Sequence, residues 1–167
     1  EGFLADLEDV AGGDILILHG CCHNPSGIDL DQTAWEAIAT QAKAKNLICL
    51  VDFAYQGFGE GLEEDRAGLH VLLDAGLSVL IASSFSKNFG LYSERIGAIT
   101  VVEETVNDAI NAFSHVQAAI RAIYSSPPAH GGKIVATILG DTTLKALWIE
   151  ELAEMRSRIK AMRQAFV

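Results

Sequence analysis

The sequence predicts an α/β fold whose sheet is covered by helices on both faces. Three observations lead there. Short β-rich apolar runs alternate with longer segments at helical spacing. The strand runs are apolar at consecutive positions, the mark of strands buried on both faces. Glycine, proline and aspartate punctuate the boundaries. At 167 residues the chain fits one ordinary domain with enough length to bury a core.

Gly12-Gly13 reads as a turn into a strand at Ile15-Leu-Ile-Leu18. From Asp31 to Ala44, Trp35, Ile38, Ala39 and Ala42 fall at helical spacing, with Asp29 or Asp31 as N-cap. Leu47-Ile-Cys-Leu-Val51 is a second strand. Ala67 to Ala75 is a helix stopped by Gly76, and Val79-Leu-Ile-Ala-Ser83 a third strand. Ile96 to Val102 is a fourth strand and Val106 to Ile123 a helix. The Ser125-Ser-Pro-Pro128 stretch breaks that helix, because proline disfavours α geometry in the residue before it. Another helix follows Gly131. Leu144, Leu147, Trp148, Leu152, Met155, Ile159, Met162 and Phe166 then form one apolar stripe on a long helix. That helix spans roughly 36 Å at 1.5 Å per residue. The pattern is still running at Val167 and the chain opens without methionine, so a piece of a longer protein is expected.

A formal net charge of -10 argues against nucleic acid or an anionic membrane surface as partner. No apolar run approaches the ~20 residues of a membrane helix, and no signal-peptide layout is present. Three cysteines, two of them adjacent, make a poor disulfide framework and point to a reducing, cytoplasmic compartment. Cys21, Cys22 and His23 are followed by no second ligand pair at zinc spacing, which leaves no expected metal centre.

In open α/β sheets, ligands gather beyond the carboxyl ends of the strands. The first strand is followed by His19-Gly-Cys-Cys-His-Asn-Pro-Ser-Gly27, and the second ends in Asp52-Phe-Ala-Tyr55. The third ends in Ser83-Ser-Phe-Ser-Lys-Asn-Phe-Gly90. Lys87 is a candidate imine-forming amine, although a lone lysine at a strand end is more readily an ordinary surface residue. Asp52 ends an apolar run, so its carboxylate needs a cation or dense donors. A pyridinium nitrogen is such a partner, and an Asp that merely caps the loop is the alternative. Tyr55 offers a phenol to a ring oxygen, or is simply half-buried. Asn24 is held before Pro25 and Gly27 with its amide available. Ser84, Ser86 and Arg95 supply the hydroxyls and guanidinium that a phosphate needs. No Walker loop or Gly-x-Gly-x-x-Gly competes for that role.

These residues also carry a resemblance. Cys21 to Asp29, Asp52 to Phe58 and Ser83 to Tyr92 resemble class I aspartate aminotransferases, as do Glu94-Arg95-Ile96-Gly97 and Ile120 to Gly131. The likeness runs through the whole chain in order. It implies a fold type I PLP-transferase large domain with a mostly parallel sheet, truncated at both ends. Residues 1–140 would be the second half of the cofactor-binding large domain, and 141–167 the start of the helix to an absent small domain.

The resemblance implies that Lys87 forms a Schiff base with pyridoxal 5'-phosphate and then moves the proton at the substrate α-carbon. It assigns Asp52 to the pyridine nitrogen, Tyr55 and Asn24 to the ring oxygen, with Asn24 also counted as substrate-binding, and Ser84 with Arg95 to the phosphate. Arg121 matches the arginine that reaches into the neighbouring subunit of a homodimer and binds the side-chain carboxylate of a dicarboxylic substrate. The implied reaction is transamination between aspartate or glutamate and 2-oxo acids. An aromatic-amino-acid aminotransferase looks alike over these motifs, and a non-catalytic scaffold or dimerisation piece is the alternative of another class. A cofactor-free Schiff-base lyase would leave Asp52, Tyr55, Ser84 and Arg95 without roles. Ser26 stands where the family usually has threonine, and Ser126 where it often has asparagine. The family's phosphate-binding turn, ring-stacking aromatic and α-carboxylate-binding arginine lie outside these segments, so this chain alone is expected to be at best a crippled catalyst.

Overall fold

A computed structural model describes residues 2–166. A short helix α1 (Gly2–Asp6) precedes strand β1 (Ile15–His19), helix α2 (Gln32–Ala44) and strand β2 (Ile48–Phe53). Helix α3 (Ala67–Asp74) and strands β3 (Val79–Ser84) and β4 (Gly97–Val102) follow. Helices α4 (Val106–Ile123), α5 (His130–Gly140) and α6 (Thr142–Phe166) complete the order. The strands form one sheet in the order β1-β2-β3-β4. β1, β2 and β3 are parallel, while β4 is antiparallel to β3.

Side-chain alternation divides the sheet into two faces. Leu16, Leu18, Cys49, Val51, Phe53 and Val79 lie on one face and are buried. Ile38, Ala42 and Leu72, from α2 and α3, complete this core. Each fully buried branched side chain contributes about 1.5–3 kcal/mol. α4 lies along β4. On the face opposite the core, Ile15 and Ile17 are 61% and 63% exposed, so cover there does not reach the β1 edge among the described residues.

Asp31, and not Asp29, caps α2: its carboxylate accepts from the N–H of Ala34 at 2.8 Å. Asp29 serves the preceding turn instead, as described below. α5 begins at His130 and α6 at Thr142, with the Asp141 carboxylate between them accepting from Thr143 and Leu144 at 2.9 Å each. The stripe read on α6 is only partly covered. Leu152 is buried and Trp148 half-buried, whereas Leu147 and Met162 stay exposed. α6 packs against α5 and reaches the loops after β2 and β3 through Trp148, Leu152 and Arg156, which leaves much of the stripe uncovered. Among the described residues no helix is long and apolar enough to cross a membrane.

Candidate active site

Parallel register brings three loops to one edge of the sheet. His19 pairs with Asp52, and Asp52 with Ala82, so the loops after β1, β2 and β3 open side by side. Asp52 lies on the face opposite the core, because its neighbours Val51 and Phe53 are buried in it. Its carboxylate is half-buried and has no ion-pair partner among the described residues.

The first loop is a tight turn held by its own polar groups. The Asp29 carboxylate accepts from the backbone N–H of Cys22 at 2.8 Å and of His23 at 2.7 Å. The N–H of Asn24 donates to Nδ1 of His19 at 3.2 Å, so the neutral ring carries its proton on Nε2. His23 Nδ1 and Ser26 Oγ lie 2.7 Å apart, and the N–H of Gly27 donates to the carbonyl of His23. Asn24 is thereby fixed facing the second and third loops.

The third loop starts at Ser84 and is closed where the N–H of Phe85 donates to the carbonyl of Ile96 at 3.1 Å. Lys87 and Arg95 belong to this one closed loop. A Cβ on Gly97 would come within 2.6 Å of the carbonyl oxygen of Ser83, so only glycine lets β4 start this close to β3. Ser86 and Asn88, which flank Lys87, are each 5% exposed. Ser84 Oγ accepts from the N–H of Ser86 at 3.2 Å. Arg95 has a left-handed backbone, and its guanidinium donates to the carbonyl of Tyr92 at 3.0 Å.

A cavity of about 400 Å³ opens where the loops meet; Asn24, Tyr55, Lys87, Tyr92, Ile159 and Arg163 are among the residues that line it. Lys87 Nζ lies 5.2 Å from the centroid of the Tyr55 ring, within cation–π range. Three of the residues expected from sequence thus share one cavity, and Asp52 lies at the same sheet edge. Ser84, Ser86 and Arg95 surround the base of the lysine loop without lining the cavity. Arg121 stands apart: it is exposed in the last turn of α4, with its guanidinium 2.8 Å from the hydroxyl of Ser125.

Tyr92, Ile159, Arg163 and Cys22 also line the cavity and carried no expected role there. The spacing of Ile159 and Arg163 puts them on one face of α6, but only the fold shows what that face meets. A hydrogen bond with Cys21 lowers the Cys22 thiol below its ordinary range; the same bond, with burial, pushes Cys21 up. Among the described residues no group of three or more His, Cys, Asp or Glu could hold a metal ion.

The sequence pattern of the aminotransferase class I and II family matches residues 1–167. The chain belongs to that family. It is 50% identical over 167 residues to an aspartate aminotransferase of Salmonella typhi, covering 100% of this chain and 42% of that protein. An aromatic-amino-acid aminotransferase of Pseudomonas aeruginosa is 45% identical over the same length, again 100% of this chain and 42% of the relative. Among solved structures, an aromatic-amino-acid aminotransferase of Burkholderia pseudomallei, covalently bound to pyridoxal phosphate, superposes with a TM-score of 0.94. It is 45% identical, and the match covers 98% of this chain and 41% of that one. The mostly parallel sheet with its flanking helices is therefore the fold of a family member. The chain spans about two fifths of the length of these relatives.

Proposed function

We propose that the protein containing this chain is a pyridoxal-phosphate-dependent aminotransferase that moves amino groups between aspartate or glutamate and 2-oxo acids. Family membership supports the reaction class, and identity to aspartate aminotransferases supports the substrate. The observation that carries the reading is the convergence of Asn24, Tyr55 and Lys87 on one cavity beside Asp52.

The residues fit the cofactor. A half-buried carboxylate without a protein cation is costly unless a bound cation completes it. Asp52 is such a group and would hold a protonated ring nitrogen. Asn24 and Tyr55 would donate to the ring oxygen. Ser84, Ser86 and Arg95 bring hydroxyls and a guanidinium to the loop base, the donor set for a phosphate. When bound, the cofactor supplies an electron sink for charge developing at the substrate α-carbon.

The remaining chemistry belongs to the protein. Lys87 would supply the amine that holds the cofactor covalently, and once free its amine would take the proton from the substrate α-carbon and return it. Arg121 does not line the cavity and is exposed, which accords with a role across a homodimer interface, where its planar guanidinium would pair with a substrate's side-chain carboxylate. Residues 1–140 act in this reading as part of the cofactor-binding domain and 141–167 as the start of the helix toward a second domain. The three free cysteines accord with a reducing cytoplasm.

The test is optical. The purified full-length protein with pyridoxal phosphate should absorb in the visible, borohydride should bleach it, and the K87A variant should lack the band. A protein that stays colourless, or a K87A variant that keeps the parent band, overturns the proposal. An aromatic preference is the second reading, favoured by the superposition on aromatic-amino-acid aminotransferases. Comparing kcat/KM for aspartate and phenylalanine decides between them.

A further inference from the structure

Among the described residues the Lys87 amine has no hydrogen bond or ion pair, so its position depends on the backbone that carries it. That backbone is gripped from one side by α6. The indole N–H of Trp148 donates to the carbonyl of Asn88 at 2.7 Å. The Trp148 ring stacks on Phe89, with centroids 4.4 Å apart and planes 18° from parallel. Phe85 meets the edge of Phe89 at 5.5 Å, so both flanks of the lysine are tied into one aromatic set.

The same helix also holds the loop that carries Tyr55. Trp148, Leu152 and Arg156 recur every four residues and so share a face of α6. The Leu152 side chain packs where a Cβ on Gly57 would stand, and the Arg156 guanidinium donates to the carbonyl of Gly57 at 2.9 Å. The two loops are joined directly as well: the side-chain amide of Asn88 donates to the carbonyl of Gln56 at 3.2 Å. One helix face therefore fixes both members of the Lys87–Tyr55 pair.

We infer that Trp148 is a positioning residue: through Asn88 and Phe89 it sets where the Lys87 amine sits relative to Tyr55 and to the atoms on which it acts. The inference rests on the proposed aminotransferase function. A small displacement of a reacting group costs rate far more than it costs binding. A tryptophan that only fills space would instead lower stability and leave the lysine environment alone.

The experiment compares the cofactor-loaded full-length protein with its W148F variant, which keeps a stacking ring and removes the N–H. Three quantities are read: the pH midpoint of the visible band, kcat and KM for aspartate, and the melting temperature. The midpoint should move by about half a unit or more. kcat should fall roughly tenfold while KM stays close to the parent value. F89L, which removes the ring on which Trp148 stacks, should move the midpoint too and carries the test should W148F fold poorly. A lower melting temperature with unmoved midpoints in a coloured protein overturns the inference and leaves the function standing. A parent protein that never develops the band overturns the function itself.

Discussion

The carboxylate of Asp65 accepts the backbone N–H of Gly57 at 2.7 Å. It also takes those of Gly59, Glu60 and Gly61 at 3.0, 2.7 and 3.3 Å, and the residue is only 7% exposed. A buried charge with this many donors is satisfied, and the donors in turn depend on it. D65A would leave them unpaired in a loop that ends beneath α6, at a cost of about 2–4 kcal/mol. D65N keeps the shape but replaces one acceptor with a donor, so it should fall between the two. The denaturant midpoint of the full-length protein measures this; a D65A midpoint equal to the parent's would show that the loop is held by something else.

Much of this fold was legible because its strands read as unbroken apolar runs, although in β1 only the core face is buried and Ile15 and Ile17 stay exposed on the other. The parallel register then followed from the intervening helices. The reversal of β4 was not legible, since periodicity carries no direction, and neither was α1, too short for any period to show. At the site, Asn24, Asp52, Tyr55 and Lys87 could be found because each stands at or just beyond a strand end. Asp65 could not. It sits in Glu63-Glu64-Asp65-Arg66, a run that reads as solvated surface until four backbone donors are seen converging on it. Arg163 and Trp148 were hidden for a related reason: their meaning depends on contacts made 60 and more residues away along the chain, as in the bond from Trp148 to Asn88.

Asp52 separates stability from cofactor binding. Without the cofactor its half-buried carboxylate has no ion-pair partner among the described residues, so replacing it by an amide breaks no ion pair of the cofactor-free protein. D52N should leave the melting temperature of the cofactor-free protein unchanged or slightly higher. The stabilisation gained on adding pyridoxal phosphate should shrink in the same variant, because affinity for the native state sets that gain. Thermal scans with and without the cofactor measure both. A cofactor-free D52N protein that melts well below the parent would mean that Asp52 is structural.

Arg121 tests the substrate assignment. Its only side-chain hydrogen bond among the described residues is to the Ser125 hydroxyl, which water can replace at little cost. R121A should therefore fold normally. Losing a bidentate partner for a carboxylate should lower kcat/KM for aspartate about a hundredfold, with alanine nearly unaffected. Equal losses for both amino acids would exclude recognition of the side-chain carboxylate.

Cys49 gives the core a dependence on alkaline pH. It is fully buried in β2, and burial pushes its thiol from the ordinary 9.0 up to about 11. The unfolded chain therefore loses this proton first. Below pH 9 the contribution is fully present, and it is lost as pH rises through the interval to about 11. C49A gives up some packing at every pH but removes this titration. Denaturant midpoints measured across the window should consequently fall less steeply in C49A than in the parent, the difference cancelling the lysines and tyrosines that titrate in both. Parallel declines would show that Cys49 ionises no differently in the folded protein than in the unfolded chain.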